Sequence, residues 1–165
     1  MMDLYFFRHG IATERSESVH DAERSLTLKG EQRTRQVAKR LKNLGVSFEA
    51  ILTSPYLRAQ QTADILTAVG LGDRPQLFPP LAPDGSFTKA KQWLQEWQPK
   101  QTNPSLVFVG HQPDLGAWAE ELIWGEPAEH LQLKKAGVIG IHLASLTNSH
   151  PENQLFLLTS PKWLL

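Results

Sequence analysis

Three short segments carry the residues whose types could do chemistry: Arg8-His9-Gly10, Ser54 to Arg58, and Gly110-His111. Each segment follows a short apolar run that predicts a buried strand. The carboxyl ends of parallel strands meet at one edge of a sheet, and ligands of open α/β proteins bind in the crevice there. We therefore expect these segments, although distant in sequence, to converge on one site.

The residues that would meet at this site, Arg8, His9, Arg58 and His111, suit a tetrahedral dianion such as a phosphoryl group. Guanidinium groups make charge-assisted paired hydrogen bonds to phosphate oxygens. Arg58 lies in the first turn of a predicted helix, where a cation is unfavourable unless an anion lies beside it. A neutral imidazole is also a nucleophile, so one histidine could take the phosphoryl group and pass it to water.

Other residues near these motifs are candidates for binding the substrate. Gly10 allows close approach to the backbone because it has no Cβ, and Ser54 precedes the predicted helix. Arg15 and Arg24 lie in a polar loop, residues 11–25, whose length is typical of a functional loop. They either contact the substrate beyond its phosphate or pair on the surface with acidic neighbours in the same loop, namely Glu14, Glu17 and Glu23.

Composition excludes several classes of function. The chain has 165 residues and balances 17 basic against 17 acidic residues, so we expect one domain, 1–165, with no nucleic-acid or membrane surface. There are no cysteines, which excludes disulfides and thiol catalysis, and no metal-binding motif is present, so no metal or other cofactor is expected. The first residues contain no leader or long apolar segment, which favours a cytoplasmic protein. His130, His142 and His150 lie outside the motifs and are assigned no chemistry.

Periodicity predicts an α/β protein in which strands and helices alternate. The predicted strands are residues 4–7, 48–52, 106–109, 137–143 and 155–158, and residues 77–81 are expected to form a short extended segment. The predicted helices are residues 28–44, 56–69, 87–97 and 115–124, with Thr27 as the first N-cap and with Leu44 and Leu57 among the core positions. This order favours a three-layer α/β/α sandwich on a mostly parallel sheet, with the last two strands at its edge or beyond.

The motifs together resemble the signatures of the histidine phosphatase superfamily, also called phosphoglycerate-mutase-like. They are Arg8-His9-Gly10, the segment 54–63 (SPYLRAQQTA), Gly110-His111-Gln112-Pro113, and Leu26-Thr27-Leu28-Lys29-Gly30. The resemblance covers nearly the whole chain in order. It implies that His9 is the phosphorylated nucleophile and that Arg8, Arg58 and His111 hold the phosphoryl group.

Within the superfamily, the short length and the segment 81–85 resemble SixA-type protein phosphohistidine phosphatases most. That resemblance implies a phosphorylated histidine phosphotransfer or histidine kinase protein as the partner and substrate. The chain departs from the pattern at Ile11, where SixA-type members commonly carry Asp. It also has Pro83 near the place where many ester phosphatases and mutases have a glutamate, with Asp84 as a possible replacement acid.

The missing acid favours a substrate whose leaving group does not need a strong proton donor. A sugar or amino-acid alkoxide must receive a proton as it leaves, whereas an imidazole can leave from a phosphoramidate that is already protonated. Two alternatives stay open: a small-molecule phosphomonoesterase or mutase that uses the same pocket, and a phosphate-binding module without catalysis.

Overall fold

A mixed six-stranded sheet forms the centre of the protein in the computed structural model, which describes residues 1–146 and 152–165. The strands are β1 (Met2–Arg8), β2 (Ala50–Thr53), β3 (Gln76–Leu77), β4 (Ser105–Gly110), β5 (Val138–Leu143) and β6 (Gln154–Thr159). The helices are α1 (Leu28–Asn43), α2 (Leu57–Val69), α3 (Phe87–Glu96), α4 (Asp114–Trp124) and α5 (Pro161–Leu164). Short 3-10 helices cover Asp21–Glu23 and Pro79–Leu81.

The strand order, β3-β2-β4-β1-β5-β6, brings together the segments that carry the motifs. Strands β1, β4, β2 and β3 pair in parallel, while β5 pairs antiparallel with β1 and β6 pairs antiparallel with β5. Arg8 lies opposite Gly110, and Thr53 lies opposite Val109. The carboxyl ends of β1, β2 and β4 therefore share one edge of the sheet.

Alternating side chains on the two central strands produce two cores. Leu4 and Phe6 of β1 are buried against α3 and α4, whereas Tyr5 and Phe7 are buried against α1 and α2. Successive side chains on a strand point to opposite faces, so a continuous apolar run indicates a strand covered on both sides. The predicted three-layer α/β/α sandwich and the edge position of the last two strands are confirmed.

Local signals in the sequence determine where α1 begins and ends. The Thr27 hydroxyl accepts a hydrogen bond from the Gly30 amide at 2.9 Å, as the predicted N-cap should. Beyond the last turn, Gly45 has φ of +85°, a left-handed conformation that terminates helices and favours glycine.

Several boundaries and core positions differ from the sequence predictions. Strand β2 begins at Ala50 because Phe48 makes only an isolated bridge to Gly72. Residues 77–81 are not one extended segment, since the two prolines start a 3-10 helix after the two-residue strand β3. Helix α5 was not predicted, and His150 lies outside the described residues.

Two leucines predicted to lie in the core are exposed instead. Leu44 is 57% exposed because it caps the C-terminus of α1 and leaves the buried stripe. Leu57 is 36% exposed, because it lies two residues before Ala59, a buried position of α2, and residues two apart do not share a helix face.

Candidate active site

A cavity of about 310 Å³ opens at the carboxyl ends of β1, β2 and β4, and we call it the His9 cavity. It brings together the four residues that the sequence placed at one site, with two arginines of the long polar loop. Its lining residues are Arg8, His9, Ala12, Arg15, Asp21, Arg24, Arg58, Pro83, His111, Gln112 and Lys135.

The backbone after β1 places His9 at the edge of the sheet. The His9 amide donates to the Gly110 carbonyl at 3.0 Å, and the Gly10 amide donates to Thr62 Oγ1 at 3.0 Å. A Cβ at Gly10 would lie 2.3 Å from Thr34 Oγ1. Gly10 is therefore required by the close packing of this turn against α1, and it does not itself line the cavity.

Hydrogen bonds at both ring nitrogens define the state of the His9 imidazole. Its Nδ1 lies 2.7 Å from the Gly10 carbonyl oxygen, which can only accept, so Nδ1 carries the proton. Its Nε2 accepts a hydrogen bond from Arg58 Nε at 3.3 Å. Burial lowers the pKa of His9 to about 3; the Gly10 carbonyl opposes that shift, while the charges of Arg58, Arg8 and Lys135 add to it. His9 is thus neutral near pH 7, with the lone pair on Nε2.

His111 lies beside His9, with 5.1 Å between the ring centroids. Its Nε2 is 2.7 Å from Ser54 Oγ, and its buried Nδ1 has no hydrogen-bond partner among the described residues. Burial, followed by the influence of His9 and Arg58, lowers the pKa of His111 to about 3. Ser54 is completely buried and does not line the cavity, and its hydroxyl contacts His111 and accepts a hydrogen bond from the Tyr56 amide at 3.2 Å.

Backbone carbonyls hold the guanidinium groups of both motif arginines. Arg8 Nη1 donates to the Leu133 carbonyl at 2.7 Å, and Arg58 Nη1 donates to the Asp21 carbonyl at 2.7 Å. Burial and then the charge of Arg58 lower the pKa of Arg8. The Arg58 guanidinium also lies 5.1 Å from the centre of the Tyr56 ring.

Asp21 is a charged residue of the His9 cavity that the sequence reasoning missed. Its carboxylate lies 3.2 Å from Arg58 Nη2, 2.8 Å from Arg24 Nε and 3.7 Å from Arg15 Nε. Burial raises the pKa of Asp21, but the positive charge of Arg58 and the hydrogen bonds from Arg24 and Arg58 outweigh this and lower it. Asp21 is therefore ionised and bridges the arginines.

These ion pairs correct one of the two readings of the long loop. Arg15 and Arg24 do not pair with the acidic residues proposed from the sequence; both pair with Asp21 and line the cavity. Arg24 Nη1 also donates to the Thr13 carbonyl at 2.8 Å. The sequence signal for the Asp21–Arg24 ion pair was the spacing of the two residues, which lie three residues apart across a short 3-10 helix.

Asp84, the candidate acid, does not line the His9 cavity, although its neighbour Pro83 does. Asp84 is exposed, with φ of +60°, and its amide donates to Asp114 Oδ2 at 2.8 Å.

Within residues 1–146 and 152–165, no three His, Cys, Asp or Glu side chains gather to hold a metal ion. The helices in the same residues are too short or too polar to span a membrane.

Comparison with known proteins identifies the family. Residues 4–77 match the model of the histidine phosphatase superfamily (branch 1). The phosphohistidine phosphatase SixA of Escherichia coli K12 is 31% identical over 126 residues, 76% of each chain. An uncharacterized protein of Picosynechococcus sp. is 56% identical over 165 residues, 99% of each chain.

Solved structures agree with the sequence relatives. The structure of the protein histidine phosphatase SixA complexed with tungstate superimposes with a TM-score of 0.83 at 26% identity, covering 99% of this chain and 100% of that one. The four motif side chains also meet in one cavity at the end of the expected strands. The chain therefore belongs to the histidine phosphatase superfamily and is a SixA-like phosphatase.

Proposed function

We propose that this protein is a phosphohistidine phosphatase that removes the phosphoryl group from a histidine of another protein, through a covalent phospho-His9 intermediate. The observation that carries the proposal is the neutral His9 imidazole, whose unprotonated Nε2 accepts a hydrogen bond from Arg58 beside the cavity. The protein substrate would be a histidine phosphotransfer domain or a histidine kinase, and with it comes a cytoplasmic location.

The proposed reaction has two displacements at phosphorus. In the first, His9 Nε2 forms a bond to phosphorus while the bond to the substrate imidazole breaks, and the imidazole keeps the proton on its other nitrogen. In the second, a water oxygen bonds to phosphorus and His9 Nε2 leaves, and the water's proton goes to phosphate or solvent. His9 Nδ1 keeps its proton and its bond to the Gly10 carbonyl throughout.

Charge stabilisation in this scheme comes from groups that are already in place. Arg8 and Arg58 would bind the phosphoryl oxygens, and the carbonyls that hold these guanidiniums limit their reorganisation. His111, held by Ser54, would contact the same oxygens. Arg15 and Arg24 would contact the substrate outside the phosphoryl group or the oxygens nearest the opening.

The state of the cavity carboxylate supports a histidine leaving group. Asp21 is ionised and paired with arginines, so it is a poor proton donor to an alkoxide, and Asp84 does not line the cavity. A phosphohistidine substrate avoids this need. The proposal also agrees with the name of the SixA relative in E. coli.

A parallel steady-state assay tests the choice of substrate. A protein phosphohistidine and a small phosphate monoester are compared at equal enzyme concentration, and kcat/KM is expected to be higher for the phosphohistidine. A higher kcat/KM for the ester would instead establish a small-molecule phosphomonoesterase.

Single-turnover labelling tests the nucleophile. Wild-type protein given a 32P-labelled phosphohistidine donor should form an acid-labile phosphoenzyme, and His9→Ala should form none. His130→Ala, an exposed histidine outside the cavity, is the matched control and should label normally. A protein that binds the donor but never labels would be a binding module without catalysis.

A further inference from the structure

A second cavity, of about 450 Å³, adjoins the His9 cavity and shares Arg8 and Lys135 with it. We call it the cationic cavity. It is lined by Arg8, Ile11, Arg33, Lys134, Lys135, Ser160, Pro161 and Lys162. Five of these eight residues are cations, and no Asp or Glu is among the described residues that line it.

The cations of this cavity are not neutralised by neighbouring carboxylates. Arg33, Lys134, Lys135 and Lys162 take part in none of the ion pairs within residues 1–146 and 152–165. Arg33 Nε is enclosed and has no hydrogen-bond partner in that part of the chain. The chain as a whole has no net charge, so this concentration of positive charge is local. A concave surface of one sign attracts ligands of the opposite sign.

Apolar side chains beside the cationic cavity favour a protein partner over a small free anion. Trp163 is 77% exposed and Leu158 is 48% exposed, and both line a neighbouring surface depression together with Lys134. Tryptophan is enriched at protein contact surfaces because its ring supplies contact area, and neighbouring cations add electrostatic complementarity to an acidic partner.

We propose that the cationic cavity docks acidic side chains that lie near the phosphohistidine on the substrate protein, an inference that rests on the proposed function. Arg8 and Lys135 line both cavities, so a substrate polypeptide that leaves the His9 cavity on this side would reach the cationic cavity. Carboxylates on that polypeptide meet Lys134, Lys162 and Arg33. Docking of this kind selects among phosphohistidine proteins by the charge around the modified residue.

Two matched peptides test the docking. Each carries phosphotriazolylalanine, a stable phosphohistidine analogue, flanked in one peptide by aspartates and in the other by asparagines. Wild-type protein should bind the acidic peptide about 3- to 10-fold more tightly, because two exposed ion pairs contribute about this much. The preference should shrink as ionic strength rises.

Two double variants assign the preference to this surface. Lys134→Ala with Lys162→Ala removes two exposed lysines that lie outside the His9 cavity, and should abolish the preference without weakening binding of the asparagine peptide. Lys39→Ala with Lys89→Ala makes the same charge change on α1 and α3 and should keep the preference. Equal affinity for the two peptides in the wild type, or a preference that survives loss of Lys134 and Lys162, overturns the proposal.

A parallel hydrolysis measurement separates this inference from the proposed function. The same two sequences with genuine phosphohistidine are given to the wild-type enzyme. Lysine-dependent preference in binding without hydrolysis of either peptide supports the docking surface and contradicts the phosphatase proposal. Hydrolysis of both peptides with equal binding supports the phosphatase proposal and overturns the docking surface.

Discussion

The His9 cavity and the cationic cavity are neighbours that share two cations, but they differ in whether acidic residues accompany their cations. In the His9 cavity, Asp21 pairs with Arg58 and Arg24, and the Leu133 carbonyl holds Arg8. In the cationic cavity no described lining residue is acidic. Cations held by fixed partners are preorganised for a charge at one position, whereas lysines on flexible stems without a carboxylate partner attract anions with little geometric demand. The first arrangement suits chemistry at phosphorus, and the second suits docking.

The largest decrease in kcat/KM is expected when a preorganised guanidinium is removed from the His9 cavity. Arg58→Ala should lower kcat/KM for a phosphohistidine substrate by about 10²- to 10³-fold, because a preorganised donor to developing charge contributes about that much. Arg35→Ala on the exposed face of α1 is the matched control and should retain wild-type kcat/KM. A comparable loss in both variants would mean that Arg58 matters only through net charge.

A smaller decrease, in kcat, is expected when the hydrogen bond that positions His111 is removed. Ser54→Ala should lower kcat about fivefold, since it removes the buried hydrogen bond at His111 Nε2, and a hydrogen bond of this kind contributes about 1 kcal/mol. Ser18→Ala, which alters an exposed hydroxyl of the long loop, should leave kcat unchanged. Steady-state kinetics and thermal unfolding are measured together. A Ser54→Ala protein that unfolds normally and keeps wild-type kcat would contradict this role.

The pH dependence of the free energy of unfolding should distinguish the two cavities, because the His9 cavity is lined by buried histidines and the described lining of the cationic cavity has none. His9 and His111 have an ordinary pKa of 6.5 that falls to about 3 in the folded protein, so the unfolded chain binds protons first as pH decreases. The free energy of unfolding should therefore fall between pH 6.5 and pH 3, by at most about 1.4 kcal/mol per pH unit for each histidine.

Denaturant unfolding between pH 7 and pH 5 measures this dependence. His111→Asn should reduce the slope, whereas Ser160→Ala in the cationic cavity and Ser18→Ala on the surface remove no titratable group and should leave it unchanged. An unchanged slope in His111→Asn would show that His111 does not contribute to the linkage.

The smallest effect is expected at Asp84, which lines neither cavity. Asp84→Asn should leave kcat/KM nearly unchanged, because the side chain lies outside both cavities and asparagine tolerates the positive φ at this position. The assay should include a phosphate monoester, for which an acid would matter most. A large loss confined to the ester would restore Asp84 as an acid.

The motif residues could be predicted to converge because the signals that place them are local. Apolar runs mark β1 and β4, Thr27 marks the start of α1, and the parallel arrangement brings the strand ends to one edge. Asp21 could not be found in this way. Residues 11–25 have no periodicity, and their conformation depends on contacts with residues distant in sequence, such as the bond from Arg58 to the Asp21 carbonyl.

The sequence by itself therefore determined the α/β class, the main elements and the meeting of Arg8, His9, Arg58 and His111. Only the tertiary structure decided the protonated nitrogen of His9, the pairing of Arg15 and Arg24 with Asp21, and the gathering of distant cations in a second cavity. The physical reason is the sequence separation of the interacting residues, because strand and helix patterns depend on residues that are close together in the sequence. The charge environment of a site is instead set by loops and termini that fold against it from distant parts of the chain.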